Sequence, residues 1–234
     1  MPSLAPQMPG GRLWLTWLTR SRVAALGLAL TRKSGFGWND TERQTYEDQH
    51  MALLKIARMG NPVLSQVAEP IEDPTAPEVA QLVADMIETM EDANGTGLAA
   101  PQVHVSKRIV VFYVDEGRDE REGGEEAGVP LTVLINPEIE PLSQEKDTGW
   151  EGCLSIPAMM GEVPRFTHIR YWAYDLEGNR FEREAHGFHA RVVQHECDHL
   201  DGRLYPGRIE DMQTFGFSDE LMRRPNLDPN LDDE

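Results

Sequence analysis

The segment QHECDHL places His195, Glu196 and His199 in the order H-E-x-x-H. On a helix, residues four apart share a face, so both imidazoles can meet one metal ion with the glutamate beside it as a proton carrier. That combination suits metal-assisted hydrolysis. The face extends upstream, because Phe188, Val192, His195 and His199 recur at i, i+4, i+7 and i+11. An apolar start predicts a buried stripe. Two buried neutral imidazoles need partners, and a metal supplies one.

Two imidazoles do not complete a site, since a catalytic metal takes three protein ligands and leaves one position to water. Three residues are candidates for the third. Tyr205 stands where the metzincin spacing requires a histidine, after a correctly placed Gly202. Glu220, in FGFSDEL, suits the downstream glutamate of thermolysin-like proteases and would make the chain a zinc endopeptidase. Cys153, in WEGCLSIP, lies between turn-forming residues that can present a thiolate. A further segment, GTGLAAPQ (95–102), combines glycines that permit close backbone approach with the amide donor of Gln102. Cys197 lies two residues from His195, which turns it about 200° round the helix and away from the metal. His50, His104, His168, His186 and His189 lack such a context and read as surface or packing residues.

GTGLAAPQ, EGCLS and QHECDHL, in this order, resemble the three signature motifs of peptide deformylases: G-x-G-L-A-A-x-Q, E-G-C-x-S and Q-H-E-x-x-H. GNPVL (60–64) and VPRF (163–166) are similar to further family segments. The resemblance covers Met51 to Leu221. It implies that Cys153, His195 and His199 bind one divalent metal, Fe(2+) in this family, while thiolate and imidazole donors equally suit Zn, Ni or Co. It implies Glu196 as general base. The Gln102 side chain and the Leu154 backbone N–H would be donors to a developing oxyanion. The substrate implied is an N-formylmethionyl nascent peptide, giving formate and a free amino terminus, with the ribosome as a transient partner. Phe188 and Val192 would line the methionine pocket, with the stem of Arg191 beside them and its head in water. Gly97 and Leu98, with the Cys153 loop, would wall off larger acyl groups. The backbone at Gly95 to Gly97 and at residues 154–156 would pair with the substrate as an added strand. Glu151 would brace the Cys153 loop. Trp150 would shape the pocket rim or pack. The alternative is the endopeptidase with Glu220 as third ligand.

Elements must carry these residues. A helix is predicted over TAPEVAQLVADMIETMEDANG, with Val79, Leu82, Val83, Met86, Ile87 and Met90 on one face. Thr75 and Glu78 form a capping-box pattern around Pro77, and Gly95 ends the helix. RIVVFYVD (108–115) and PLTVLINP (130–137) read as strands around a charged, glycine-rich loop. RFTHIRYWAYD and RFEREAH form a hairpin about Gly178 and Asn179. A second helix runs from Gly187 to Leu200 and stops near Gly202. Strands around two helices without βαβ alternation give an α+β class. The resemblance implies antiparallel sheets packed around a central helix that carries H-E-x-x-H, plus an amphipathic amino-terminal helix.

Apolar residues make up 40% of the 234-residue chain, enough for a real core. Residues 1–39 hold Arg12, Arg20, Arg22, Arg32 and Lys33 and no acid, so with a chain charge of −18 the remainder carries −23. Such a charge disfavours nucleic acid or an anionic membrane as partner. Residues 1–50 read as a disordered extension or an early start, since Met51 opens MALLKIARMGNPVL, or as an organelle transit peptide. Residues 51–221 form the catalytic domain and 222–234 an acidic tail. Both cysteines lie inside motifs, which favours a reducing compartment. The expected location is the bacterial cytoplasm, or an organelle matrix if residues 1–50 are a transit peptide.

Overall fold

The structure is a computed structural model and describes residues 52–115 and 128–223. The basic amino-terminal segment, the charged loop after the first predicted strand, and the tail beyond Arg223 lie outside the described residues.

Helix α1 spans Pro77–Asp92 and buries Val79, Val83, Met86, Ile87 and Met90, the stripe predicted by periodicity, with Leu82 half-buried beside it. Its ends correct two expectations. Pro77 occupies the first helical turn, which makes Ala76 the N-cap without a side-chain bond, while the Thr75 hydroxyl donates to Asp73 Oδ1 at 2.7 Å. The capping box between Thr75 and Glu78 therefore does not form. At the other end Asn94, not Gly95, takes the left-handed conformation, with φ 52°. The Gly95 N–H reaches Met90 O (2.9 Å) and the Asn94 N–H reaches Glu91 O (3.0 Å). This is the Schellman arrangement, and it aims the chain directly into the first signature motif.

Two antiparallel sheets follow. The larger has the order β1-β2-β3-β6-β7 and the smaller β4-β5-β8. In chain order these are β1 (Gly97–Ala99), β2 (Ile109–Val114), β3 (Val129–Pro141), β4 (Lys146–Cys153), β5 (Ile156–Phe166), β6 (His168–Tyr174), β7 (Arg180–His186) and β8 (Gly216–Phe217). β2, IVVFYV, is β-branched and aromatic and almost continuously buried, because both long helices pack on it. The β6–β7 hairpin turns where predicted, with Gly178 at φ 77° and the Asp175 carboxylate accepting the Glu177 and Asn179 N–H groups.

Helix α2 (Gly187–Leu200) is the centre of the molecule, and every residue from Phe188 to Leu200 is buried. Its apolar residues join β2, β3, β6 and β7 in one core. Fully burying a side chain such as Val193 or Leu200 is worth about 2 kcal/mol. The polar residues of the same helix would erase that gain if left unbonded. Most are bonded among the described residues, Glu196 Oε2 and His199 Nδ1 excepted: the Gln194 carboxamide accepts from Phe166 N (3.1 Å) and donates to Phe166 O (2.9 Å), as a neighbouring strand would. Helix α3 (Ser218–Leu221) closes the described chain.

Candidate active site

The β4–β5 hairpin has a two-residue tip, Leu154 and Ser155, with Cys153 opposite Ile156 and a register irregularity at Gly152 and Cys153. The tip delivers Cys153 to the buried face of α2. There Cys153 Sγ lies 3.3 Å from His199 Nε2, and the donor atoms of Cys153, His195 and His199 all lie within 4.8 Å of one another. The two rings meet edge to face, with centroids 5.1 Å apart.

This set fits a single metal ion. The Glu151 carboxylate takes the Nδ1 proton of His195 in a 2.8 Å hydrogen bond, which fixes the tautomer and leaves Nε2 as the donor atom. Burial, followed by the neighbouring His195 and Arg165, holds the His199 imidazole well below its ordinary pKa, so its lone pair stays available. At His195 burial also opposes charge, but Cys153 and Glu151 outweigh it and raise the pKa. Neighbours that attract a proton attract a metal cation equally. One thiolate and two imidazoles suit a tetrahedral or five-coordinate transition metal with one position left for water.

Glu151 is itself held in a buried ion cluster. Arg165 grips it with two bonds of 2.8 and 2.9 Å, Arg191 adds a third at 3.1 Å, and Arg165 also reaches Asp198 Oδ2 at 2.5 Å. Arg208 closes the group from outside by pairing with Asp198. Burial alone would raise the Glu151 carboxyl; the hydrogen bonds from Arg165 and His195 overcome it and hold the pKa well below the carboxylate range. The cluster thus ties β4, β5 and α2 together behind the metal-ligating face.

The third segment approaches from the opposite side. β1 is an edge strand, and Gly97 lies against the Glu196 side chain so closely that a Cβ there would overlap the carboxylate. A Cβ on Gly95 would come within 2.8 Å of Leu154 Cδ1, so this glycine lets the first motif seat on the second. Gln102 is oriented unambiguously. Its Oε1 accepts the Ala99 N–H at 2.8 Å, which turns Nε2 toward Ser155 Oγ (3.2 Å) and Cys153 Sγ (3.5 Å). Glu196 is 5% exposed, and its Oε2 has no hydrogen-bond partner among the described residues. Burial first, then Glu151 against the opposing pull of His195, pushes its pKa up to about 7.

A cavity of about 700 Å³ opens here, lined among others by Gly95, Gly97, Leu154, Phe188, Val192 and Glu196. Trp150 stands on its wall. Nine of the ten site residues named from the sequence line this cavity, and the tenth, His199, is buried against Cys153 Sγ. It corrects three other readings. Glu220 is exposed on α3 and pairs with Arg223 at 3.1 Å, outside the donor group of His195 and His199, so the endopeptidase ligand set lacks its third member. Tyr205 lays its ring along His195 (centroids 6.1 Å, 25°) as packing. The Arg191 head is buried rather than in water and donates to Val163 O (2.7 Å), Asp147 O (2.9 Å), Gly149 O (3.4 Å) and Glu151, because these four acceptors offer more than solvent. Cys197 points into the apolar core, as its position on the helix requires.

Arg165, Asp198 and Arg208 were not singled out from the sequence. One signal existed for the first. Gly161, Val163 and Arg165 alternate on the inward face of β5, and an arginine on such a face calls for buried carboxylates. Ser155, which accepts from Gln102, lay inside a motif but carried no distinguishing signal.

Comparison with known proteins agrees with this arrangement. The polypeptide deformylase family model matches residues 53–215. Peptide deformylase 1 of Bordetella pertussis is 55% identical over 177 residues, covering 76% of this chain and 98% of that protein. A solved peptide deformylase from Ehrlichia chaffeensis superposes with a TM-score of 0.63 at 38% identity, covering 70% of this chain and 91% of that one. A class I type b peptide deformylase from Acinetobacter baumannii, solved with Met-Ala-Ser bound, gives 0.62 at 36% identity, covering 68% and 99%. With its three motifs converging on one cavity and these relatives spanning nearly their full length, the chain belongs to the peptide deformylase family of enzymes.

Proposed function

We propose that this chain hydrolyses the formyl group from N-formylmethionine at the amino terminus of newly made proteins, releasing formate, with one divalent metal held by Cys153, His195 and His199. The observation that carries the reading is the meeting of those three donors within 4.8 Å beside Gln102 and Glu196. When bound, the metal would lower the pKa of water toward neutrality. Iron(II) is the metal proposed, and zinc, nickel and cobalt fit the same donors.

The chain's own residues do the rest. The unpartnered Glu196 Oε2 takes the proton of the attacking water and returns it to the leaving amine nitrogen. The Gln102 Nε2–H and the Leu154 N–H stabilise the charge that develops on the formyl oxygen. Removing one such donor typically costs about 3 kcal/mol of transition-state stabilisation. Peptide backbone adds to the free edge of β1, between Gly95 and Gly97 on one side and residues 154–156 on the other. Phe188 and Val192 hold the methionine side chain. Gly97 and the Cys153 tip leave room for a formyl hydrogen and exclude larger acyl groups.

Residues 51–221 are the proposed catalytic domain, acting on nascent chains during transient contact with the ribosome in the bacterial cytoplasm. No helix among the described residues is long and apolar enough to cross a membrane. The test is formate release from formyl-Met-Ala-Ser by the full chain loaded separately with iron, cobalt, nickel or zinc. Turnover that disappears in Cys153→Ser supports the assignment; no formate with any of the four metals overturns it.

A further inference from the structure

A second group of metal-capable side chains lies on the β6–β7 hairpin. His168 and His186 are register partners on adjacent strands, and Glu184 stands two residues before His186, on the same face. The two rings stack with centroids 3.9 Å apart and planes 21° apart. Glu184 divides its oxygens: Oε1 takes the Arg170 guanidinium at 2.8 Å, and Oε2 turns to His168 Nε2 at 3.1 Å. One donor atom from each of His168, Glu184 and His186 falls within 4.8 Å of the other two.

We propose that His168, Glu184 and His186 form a second divalent transition-metal site, separate from the Cys153 centre. Two imidazoles and a carboxylate are the donor set of known three-ligand zinc sites, which keep one position for water. Their positions come from strand register rather than from flexible loops, and a ring must turn out of the stack for both imidazoles to aim an in-plane lone pair at one ion. The surroundings favour a cation. Arg170 is shared among Glu140, Glu182 and Glu184, so three carboxylates face one guanidinium. The His168 and Glu184 side chains are 28% and 47% exposed, so the site can fill directly from solution. His168 and His186 also border a surface cavity whose lining includes Glu145 and Asp147 together with Lys146, Arg165 and Arg191. The thiolate of the other centre suits iron or zinc, whereas the all-nitrogen-and-oxygen set here favours zinc, nickel or copper.

The test uses the full chain with nickel already at the Cys153 centre, titrated with zinc chloride at neutral pH by calorimetry and followed by metal analysis. The expected result is one additional zinc per chain with nickel content unchanged. His168→Gln and His186→Gln each weaken that zinc by about tenfold or more while keeping their nickel, and Glu184→Gln weakens it as well. Zinc uptake that is equal in wild type and in both histidine variants overturns the proposal. So does zinc that is lost only in Cys153→Ser, which would place it at the first centre.

Discussion

The described residues include two three-donor clusters, each with two histidines, in opposite surroundings. Cys153, His195 and His199 sit on a buried helix with Glu151, Arg165 and Asp198 behind them. His168, Glu184 and His186 sit on an exposed hairpin, with Arg170 paired to Glu184. The donors alone do not make the difference. In the first cluster the ring of His195 is fixed by a carboxylate that is itself gripped by a guanidinium, and Glu196, the proposed proton carrier, is walled in by Gly97. Burial and bracing turn a place where a metal can rest into a place where water can be activated and a carbonyl positioned.

The largest effect is expected from Glu196, the proposed proton carrier of the buried cluster. Glu196→Gln keeps the shape and all three donors, so metal content by atomic absorption should match wild type. Formate release should fall by about 10²- to 10⁴-fold. Retained turnover would mean that the buried surroundings do not work through this carboxylate. Next in size is Gly97→Ala. The added methyl must push the Glu196 side chain aside, because a Cβ overlaps it, and the backbone of β1 is pinned by β2. A displacement near 1 Å at a reacting group can cost about 10²-fold. The loss should fall mainly on kcat, with metal content unchanged.

Much of this site could be read in the sequence, for a physical reason. His195, Glu196 and His199 lie on one helical face, and Cys153 and Gln102 lie in short turns whose glycines and serine mark them. Local chemistry announces local geometry. The long helices and the β6–β7 hairpin were legible through periodicity and turn residues in the same way. What was not legible depends on register. Arg165 meets Glu151 and Asp198 across two strands and a helix, and His168 meets His186 across a hairpin. Neither pairing leaves a mark at fixed spacing. The ends of α1 failed for a different reason: Pro77 moved the cap to Ala76, and Asn94 took the left-handed position expected of glycine.

The bracing can be weakened without touching a donor. Glu151→Gln removes the acceptor of the His195 Nδ1 proton and half the charge that neutralises Arg165. Metal affinity should drop by about 10- to 100-fold, measured by competition with a chelator. Stability in urea should fall by about 3 kcal/mol or more, because a buried guanidinium loses a partner. The matching change in the exposed cluster, Glu184→Gln, leaves Arg170 with Glu140 and Glu182 on the surface. Its effect on stability should stay within about 0.5 kcal/mol. Similar losses in the two variants would erase the distinction between a braced and an unbraced cluster.

The smallest effect separates the two cysteines. Cys153 is partly exposed at a hairpin tip, whereas Cys197 is buried in the core and its thiol pKa is raised, first by that burial. Only a thiolate reacts quickly with an alkylating reagent. Chain stripped of metal with a chelator should therefore take up one iodoacetamide, at Cys153, by peptide mass analysis. Metal-loaded chain should take up far less over the same time, because the metal draws electron density from the ligated sulfur and blocks approach to it. Labelling of Cys197 at the rate of Cys153 would show that α2 opens on that timescale, and the rigidity assigned to the buried cluster would then be misplaced.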